Sequence, residues 1–554
     1  MGIPSVFPTG VTIYNPEKCF NGYTIMPVKK VGAVLIDMNG NVVHVWKNFQ
    51  GFPNKMLPGG HIMGSLGVRK AEYGYQDQSD VTQIDWDGNV VWSFNKKEYI
   101  EDSENEKYWL ARQHHDYQRE GNPVGYYVPG MECKVDGGNT LILCHEDVYN
   151  KRISDKKLLD DCIVEVDWEG NIVWKWNVSD HFRELDFDEF QKSALFRNPN
   201  YHPIGKEGQS DWMHINSMST LGPNKWYDQG DERFHPDNII WDAREANIMA
   251  IISKATGKIV WSIGPDFTKT KELRRIGQII GQHHCHMIPK GLPGEGNILI
   301  FDNGGWAGYG APCRMSKDGT KTDIRDHSRI LEIDPVTLEL VWEFKGKDMD
   351  TALAMGLLSD TIFYSQLTSS AQRLPNGNTM ICEGCGCRFL EVTADKEVVW
   401  EYISPFGKGI DFTYRAYRYP YDYVPQLEKP EEIPVEKVDI HTFRMPGAGE
   451  GMYNAETTVS VAGTWGYTRM DECVTEDSTS GSADAAAEAQ AAVVDSDDEL
   501  CLDTLEDNMQ YLLAHPEVDM LEYPVEVHAE SEKAYHLAFP DETQTEDIFA
   551  DWIR

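Results

Sequence analysis

Along the first four hundred residues apolar and polar positions alternate in short runs, and one phrase recurs six times. A β-branched run leads into an acidic, Gly-containing turn and then into a Val-Val-Trp-like strand. The copies run Val34–Val43 to Trp46, Ile84–Trp92, Val164–Trp174 and Ile251–Trp261, then a fifth ending at Val341-Trp342 and a sixth from Leu390 to Trp400. Two-residue alternation around a turn of Asp, Asn and Gly predicts an antiparallel hairpin in each copy. Most copies follow a second hairpin signal, such as Gly137-Gly138-Asn139-Thr140-Leu141 or Pro375-Asn376-Gly377-Asn378-Thr379.

Two hairpins make a four-stranded sheet, and six such sheets in a ring make a propeller. The expected fold is therefore all-β, a six-bladed β-propeller over residues 1–425. The closing Trp residues are spaced by 46, 82, 87, 81 and 58 residues. A blade needs about 40–45 residues, so the longer intervals carry insertions, expected as loops over one mouth. Residues 426–475, Pro- and Glu-rich at their start, read as an exit segment. Residues 476–500 form a Ser/Ala/Asp/Glu linker that cannot bury enough surface to order itself. Residues 501–554 are a tail in which Leu502–Leu513 has helical spacing. It could pack on the propeller or on another copy, so a homo-oligomer stays open.

Composition changes this picture little but narrows the partners. Of 554 residues, 89 are Asp or Glu and 51 Lys or Arg, a formal charge of −38. That field repels nucleic acid and anionic membranes, so a small molecule is the expected partner. No apolar run approaches the ~20 residues of a membrane span. The N-terminus lacks the basic and apolar regions of a secretory signal, and 11 scattered Cys residues read as reduced thiols, so a cytoplasmic protein is expected.

Histidines cluster where inner strands should begin. His115 lies in Arg112-Gln113-His114-His115-Asp116, His214 in Asp211-Trp212-Met213-His214-Ile215-Asn216-Ser217, and His283, His284 and His286 in one run of five. His145, in Cys144-His145-Glu146-Asp147, is read as ending an inner strand. Clustered imidazoles are costly to bury unless they bind or react. Alternation puts His284 and His286 on one face and His283 on the other. Arg244, Arg314, Arg329 and Arg388 are candidates to meet an anion, with surface ion pairs the plainer reading of Arg314 and Arg329.

The Trp-x-His-x-Asn-Ser phrase at 212–217, Gln282-His283, Phe301-Asp302-Asn303-Gly304 and Arg244 ahead of Thr256–Trp261 resemble the arylsulfotransferase family over roughly residues 30–420. The resemblance implies sulfuryl transfer from an aryl sulfate to a phenol through a sulfohistidine, with no cofactor. It implies a catalytic set among His115, His214, His283, His284 and His286, with His214 and His283 assisting, and substrate contacts from Arg244, Arg388, Asn216 and Asn303. One departure stands out: Arg388 occupies the slot of the family's nucleophilic histidine, so His284, His286 or His115 would attack instead. A second is the missing signal peptide, because familiar members are exported. Two alternatives remain open. One is a divalent metal (Zn²⁺, Fe²⁺ or Cu) on His115, His214, His284 and His286, oriented by Asp116 or Glu146, for a lyase, hydratase or oxidoreductase. Cys382-x-x-Cys385-x-Cys387 adds a weak soft-metal signal. The other is a non-catalytic binding propeller.

Overall fold

The computed structural model describes residues 9–203, 208–346, 363–406 and 412–437. The linker, the tail and most of the exit segment expected above lie outside them. Five four-stranded antiparallel sheets and one five-stranded sheet form a six-bladed β-propeller. Each sequence phrase supplies the two outer strands of a blade. Blade one has Gly32–Ile36 and Val42–Lys47, blade two Val81–Ile84 and Val90–Phe94, and blade three Leu158–Val166 and Ile172–Asn177. Blades four, five and six have Ile248–Ile252 with Ile259–Ile263, Arg329–Ile333 with Leu340–Lys345, and Arg388–Val392 with Val398–Ile403.

The turns close for a local reason. The carboxylates of Asp37, Asp85 and Asp167 each accept the backbone N–H and the side-chain amide of an Asn four residues on, at 2.7–2.9 Å. The repeated Trp then ties neighbouring blades. Its indole N–H donates to a carbonyl in the next blade's turn: Trp46 to Asp85, Trp92 to Trp168, Trp174 to Lys254, Trp261 to Pro335, Trp342 to Ala394 and Trp400 to Met38, all at 2.8–3.2 Å. The sixth bond returns to blade one, so the repeat encodes the ring closure as well as the blades. Apolar side chains fill the space between blades, as where Ile240, Met249 and Ile251 of blade four meet Met287, Ile298 and Leu331 of blade five.

Two closures were not legible in the repeats. Tyr417–Tyr419, which reads only as the lead into the exit segment, pairs with Tyr23–Val28 as the inner strand of blade one. Gly10–Tyr14 pairs with Val398–Ile403 as a fifth, outermost strand of blade six. His145 also sits differently from its reading: it belongs to Thr140–Val148, the second strand of blade three, behind the inner strand Gln113–Arg119.

The long intervals do carry extra structure. A hairpin, Glu98–Ser103 with Glu106–Leu110, precedes blade three. The helix Glu189–Arg197 precedes blade four, started by a capping box between Asp188 and Gln191. Trp109 of the first insertion is exposed, whereas Trp212 is fully buried and its indole donates to Asp160 at 3.0 Å.

Candidate active site

Three inner strands deliver histidines to one cavity. His115 comes from Gln113–Arg119 of blade three, His214 from the residue before Ile215–Thr220 of blade four, and His283 from the start of His283–Met287 of blade five. Register shifts interrupt these strands between Gln113 and Tyr117, Ile215 and Ser217, and His283 and His286. His115, His214 and His284 sit in the left-handed region at φ 56°, 52° and 55°. A side chain there costs roughly 1–2 kcal/mol, and bulges of this kind re-aim side chains at functional rims. Arg244, Glu245, Phe52, Tyr75, Gln76, Asn200, His202, Leu367, Thr368 and Tyr414 complete the lining.

Each mouth histidine is held from behind through Nδ1. The His214 Nδ1 faces Asp211 Oδ2 at 2.5 Å, and that carboxylate is fully buried. The His283 Nδ1 lies 2.9 Å from Asn303 Oδ1 and 3.2 Å from the Gly281 carbonyl. Two acceptors at one nitrogen put the proton there, and Asn303 is oriented by donating its NH₂ to the Ser365 carbonyl at 2.6 Å. The His115 Nδ1 lies 2.8 Å from His114 Nδ1. Nε2 is thus the nitrogen left to the cavity on all three rings. The rings of His115 and His214 meet edge to face, 4.5 Å between centroids.

Burial sets the charge state. Burial first, then the neighbouring His214, holds His115 well below the ordinary histidine range. Burial and then Arg244 do the same for His283. Asp211 goes the other way: burial opposes its charge, but His214 overcomes this and keeps the carboxyl below its usual value. Arg244 is buried against Glu245 and supplies the cavity's positive charge. The stacked pair of Phe52 and Tyr414, 4.1 Å apart and nearly parallel, forms an aromatic wall.

The expected catalytic set divides in two. His284 and His286 do share a face, as alternation predicts, with rings 4.5 Å apart. Both, however, are occupied away from the cavity. His284 faces the Ala371 carbonyl at 2.8 Å through Nδ1 and the Tyr417 hydroxyl at 3.2 Å through Nε2. His286 faces the His284 carbonyl and the Tyr126 hydroxyl, both at 2.9 Å. Among the expected substrate contacts, Arg244 lines the cavity and Asn303 stands one step behind it. Asn216 instead donates to the Gln282 carbonyl at 2.8 Å, tying two inner strands, and Arg388 is buried against Glu383 at 2.5 Å in blade six. Arg329 is likewise spent on Asp302 at 2.6 Å. Phe52, Tyr75, Gln76, His202 and Tyr414 were missed, because nothing in their local sequence marks a segment that folds over the mouth.

The four histidines expected for a metal are separated in the same way. Asp116, expected to orient one, bridges Lys55 at 2.5 Å and Arg415 at 3.0 Å, and Glu146 holds Lys175 at 2.7 Å. The Cys382 thiol points at the Thr413 carbonyl, 3.8 Å away. A different group does converge: His114, His145 and Asp161, all fully buried, each bring one ligating atom within 4.8 Å of the other two. Asp161 is pushed well above the usual carboxylate range by burial and by the neighbouring Asp211.

Residues 131–404 match the model of the arylsulfotransferase (ASST) family. The chain carries an arylsulfotransferase-family domain. The match begins within blade three, so it contains His214, Arg244 and His283 but not Phe52, His115 or Tyr414, and it is narrower than the span of the sequence resemblance. No curated protein matches the chain. Similar solved structures include a protein of unknown function from Bacteroides caccae, 12% identical, covering 72% of this chain and 98% of its own at a TM-score of 0.37. Virginiamycin B lyase from Staphylococcus aureus is 10% identical over 73% of this chain and 86% of its own, TM-score 0.31. The apo form of AztD from Citrobacter koseri is 7% identical over 72% and 97%, TM-score 0.31. Likeness at this level carries no argument about chemistry. Among the described residues no helix is long and apolar enough to cross a membrane.

Proposed function

We propose that the cavity transfers a sulfuryl group from an aryl sulfate to a phenolic acceptor, with His214 as the nucleophile. The supporting observation is the pairing of a cavity-facing imidazole with a buried carboxylate, Asp211, 2.5 Å behind it. Attack of a neutral imidazole Nε2 on sulfur leaves the ring cationic, and a carboxylate at Nδ1 stabilises that charge where water is excluded. In the first step the Nε2–S bond forms as the S–O bond to the aryl group breaks, and the phenolate leaves against His115. Arg244 neutralises charge on the sulfuryl oxygens. In the second step the acceptor hydroxyl oxygen attacks sulfur, its proton passes to His283 Nε2, and the N–S electron pair returns to His214. His283 then releases that proton to solvent, which balances the phenolate set free in the first step and closes the cycle without a cofactor. The Phe52–Tyr414 wall suits an aromatic ring.

The reading reassigns the nucleophile. His214 is preferred to the candidates expected from sequence: His284 and His286 have both nitrogens engaged, and His115, which does line the cavity, has His114 rather than a carboxylate at Nδ1. The test is intact mass after incubation with 4-nitrophenyl sulfate. One sulfuryl group should be gained with release of nitrophenol, and neither should occur in His214→Ala. A mass gain that persists in that variant would transfer the role to another ring, and no gain in the unaltered chain would remove the reading.

A further inference from the structure

Behind the mouth lies a second histidine cluster that the chemistry above does not use. His114 and His145 stack face to face, centroids 3.6 Å apart, and His114 Nε2 lies 3.3 Å from Asp161 Oδ1. Three atoms here, His114 Nε2, His145 Nε2 and Asp161 Oδ1, are buried with no hydrogen-bond partner. Buried polar atoms are nearly always satisfied, and three such atoms on residues that converge on one point signal something that binds them.

We propose that His114, His145 and Asp161 bind one divalent transition ion, Zn²⁺ being the best match. Two imidazoles and a carboxylate are a donor set of that chemistry. The outer contacts are those of a built site. His145 Nδ1 donates to Asp77 Oδ1 at 2.7 Å, which leaves Nε2 as a lone-pair donor, and Asp77 is itself anchored by Arg112 at 2.8 Å and Arg69 at 3.1 Å. Asp161 Oδ2 accepts the Ile215 N–H at 3.0 Å, which turns Oδ1 toward the histidines.

The ion would also act on the mouth. Metal on His114 Nε2 leaves the proton on Nδ1, which donates to His115 Nδ1; His115 then carries its own proton on Nε2, facing the cavity. That consequence for His115 rests on the sulfuryl-transfer reading, whereas the binding does not, and the two are measured separately.

The test is dialysis of chelator-treated full-length chain against Co²⁺, followed by metal analysis and visible spectroscopy. One equivalent of cobalt is expected, with d–d bands of nitrogen and oxygen ligation and nitrogen scatterers in X-ray absorption. His145→Gln should weaken binding at least ~100-fold, and Asp77→Asn, which leaves the three ligands in place, about 10–100-fold. If His145→Gln does not fold, the unaltered chain still decides. No bound cobalt, or a thiolate charge-transfer band placing it on cysteines, overturns the site, as does unchanged affinity in a folded His145→Gln. The mass-gain assay on the metal-free chain reports on sulfuryl transfer independently.

Discussion

Two histidine groups overlap on one inner strand, His283–Met287, and face opposite fates. At the mouth, His115, His214 and His283 are each fixed through Nδ1, with Nε2 left for a ligand. In the channel, one residue along the same strand, His284 and His286 have both nitrogens taken by carbonyls and by the Tyr417 and Tyr126 hydroxyls. Neighbouring residues of one type thus divide into a reactive set and a structural set according to what stands behind them. The channel also holds the buried Lys55–Asp116–Arg415 network, which joins blade two, blade three and the segment entering blade one. Histidine count therefore says little; the number of unsatisfied nitrogens says much.

The largest expected effect separates the groups directly. His214→Ala should lower turnover of an aryl sulfate by at least ~10³-fold, about 4 kcal/mol of transition-state stabilisation. His286→Phe, of similar size and without hydrogen bonds, should leave turnover within about threefold while lowering the denaturation midpoint. Steady-state kinetics on both variants checks this, and equal losses would erase the distinction.

Next comes the network. Asp116→Ala leaves Lys55 and Arg415 buried without their shared carboxylate and should destabilise the propeller by about 3–5 kcal/mol, read from denaturant unfolding. Burial opposes the charge on Asp116, yet Lys55 and Arg415 still hold it below its usual value. The loss should therefore persist at every pH where a carboxylate would be ionised.

Asp242 behaves oppositely. Burial raises its folded-state value to about 7, although Ser217 and the Cys285 N–H donate to it at 2.7 and 2.8 Å. The folded chain therefore holds a proton that the unfolded chain releases near its ordinary value. This contribution to stability is greatest at low pH and is lost as pH rises from about 4 to about 7. Asp242→Asn keeps the accepting oxygen and removes the titration. It should be more stable than the unaltered chain at pH 8 by on the order of 3 kcal/mol, with the advantage vanishing near pH 4. Asp160 and Asp323, each raised to about 6 mainly by burial, leave a residual slope of the same sign.

Much of the fold could be read from sequence because its signals are local. Asp, Gly and Asn within five residues specify the turns of the first three blades, and Trp marks the strand after the turn in all six, so six blades follow from six phrases. The closing strands carry no such phrase: Tyr417–Tyr419 pairs with a segment some four hundred residues earlier, and only the ring geometry demands it. The site was legible in part. His115, His214, His283 and Arg244 could be named because residue type and strand position coincide. Telling His283 from His284 needed the bulge and the distant hydroxyl of Tyr417, neither of which local sequence encodes. The same is true of the aromatic wall, where Phe52 meets Tyr414.

The smallest effect tests the channel side most cleanly. Tyr126→Phe removes one hydroxyl, the group 2.9 Å from His286 Nε2, and keeps the buried ring that packs with Ile288 and Tyr417. If His286 is held only for structure, the cost is one hydrogen bond, about 1 kcal/mol, with kcat and KM unchanged. A loss of turnover would mean that the Tyr126–His286 contact transmits orientation along the strand to His283, three residues away. Thermal unfolding and steady-state kinetics on the same preparation separate the outcomes. A variant less stable but equally active leaves the channel histidines as scaffold, whereas one equally stable but slower would join the two groups into a single site.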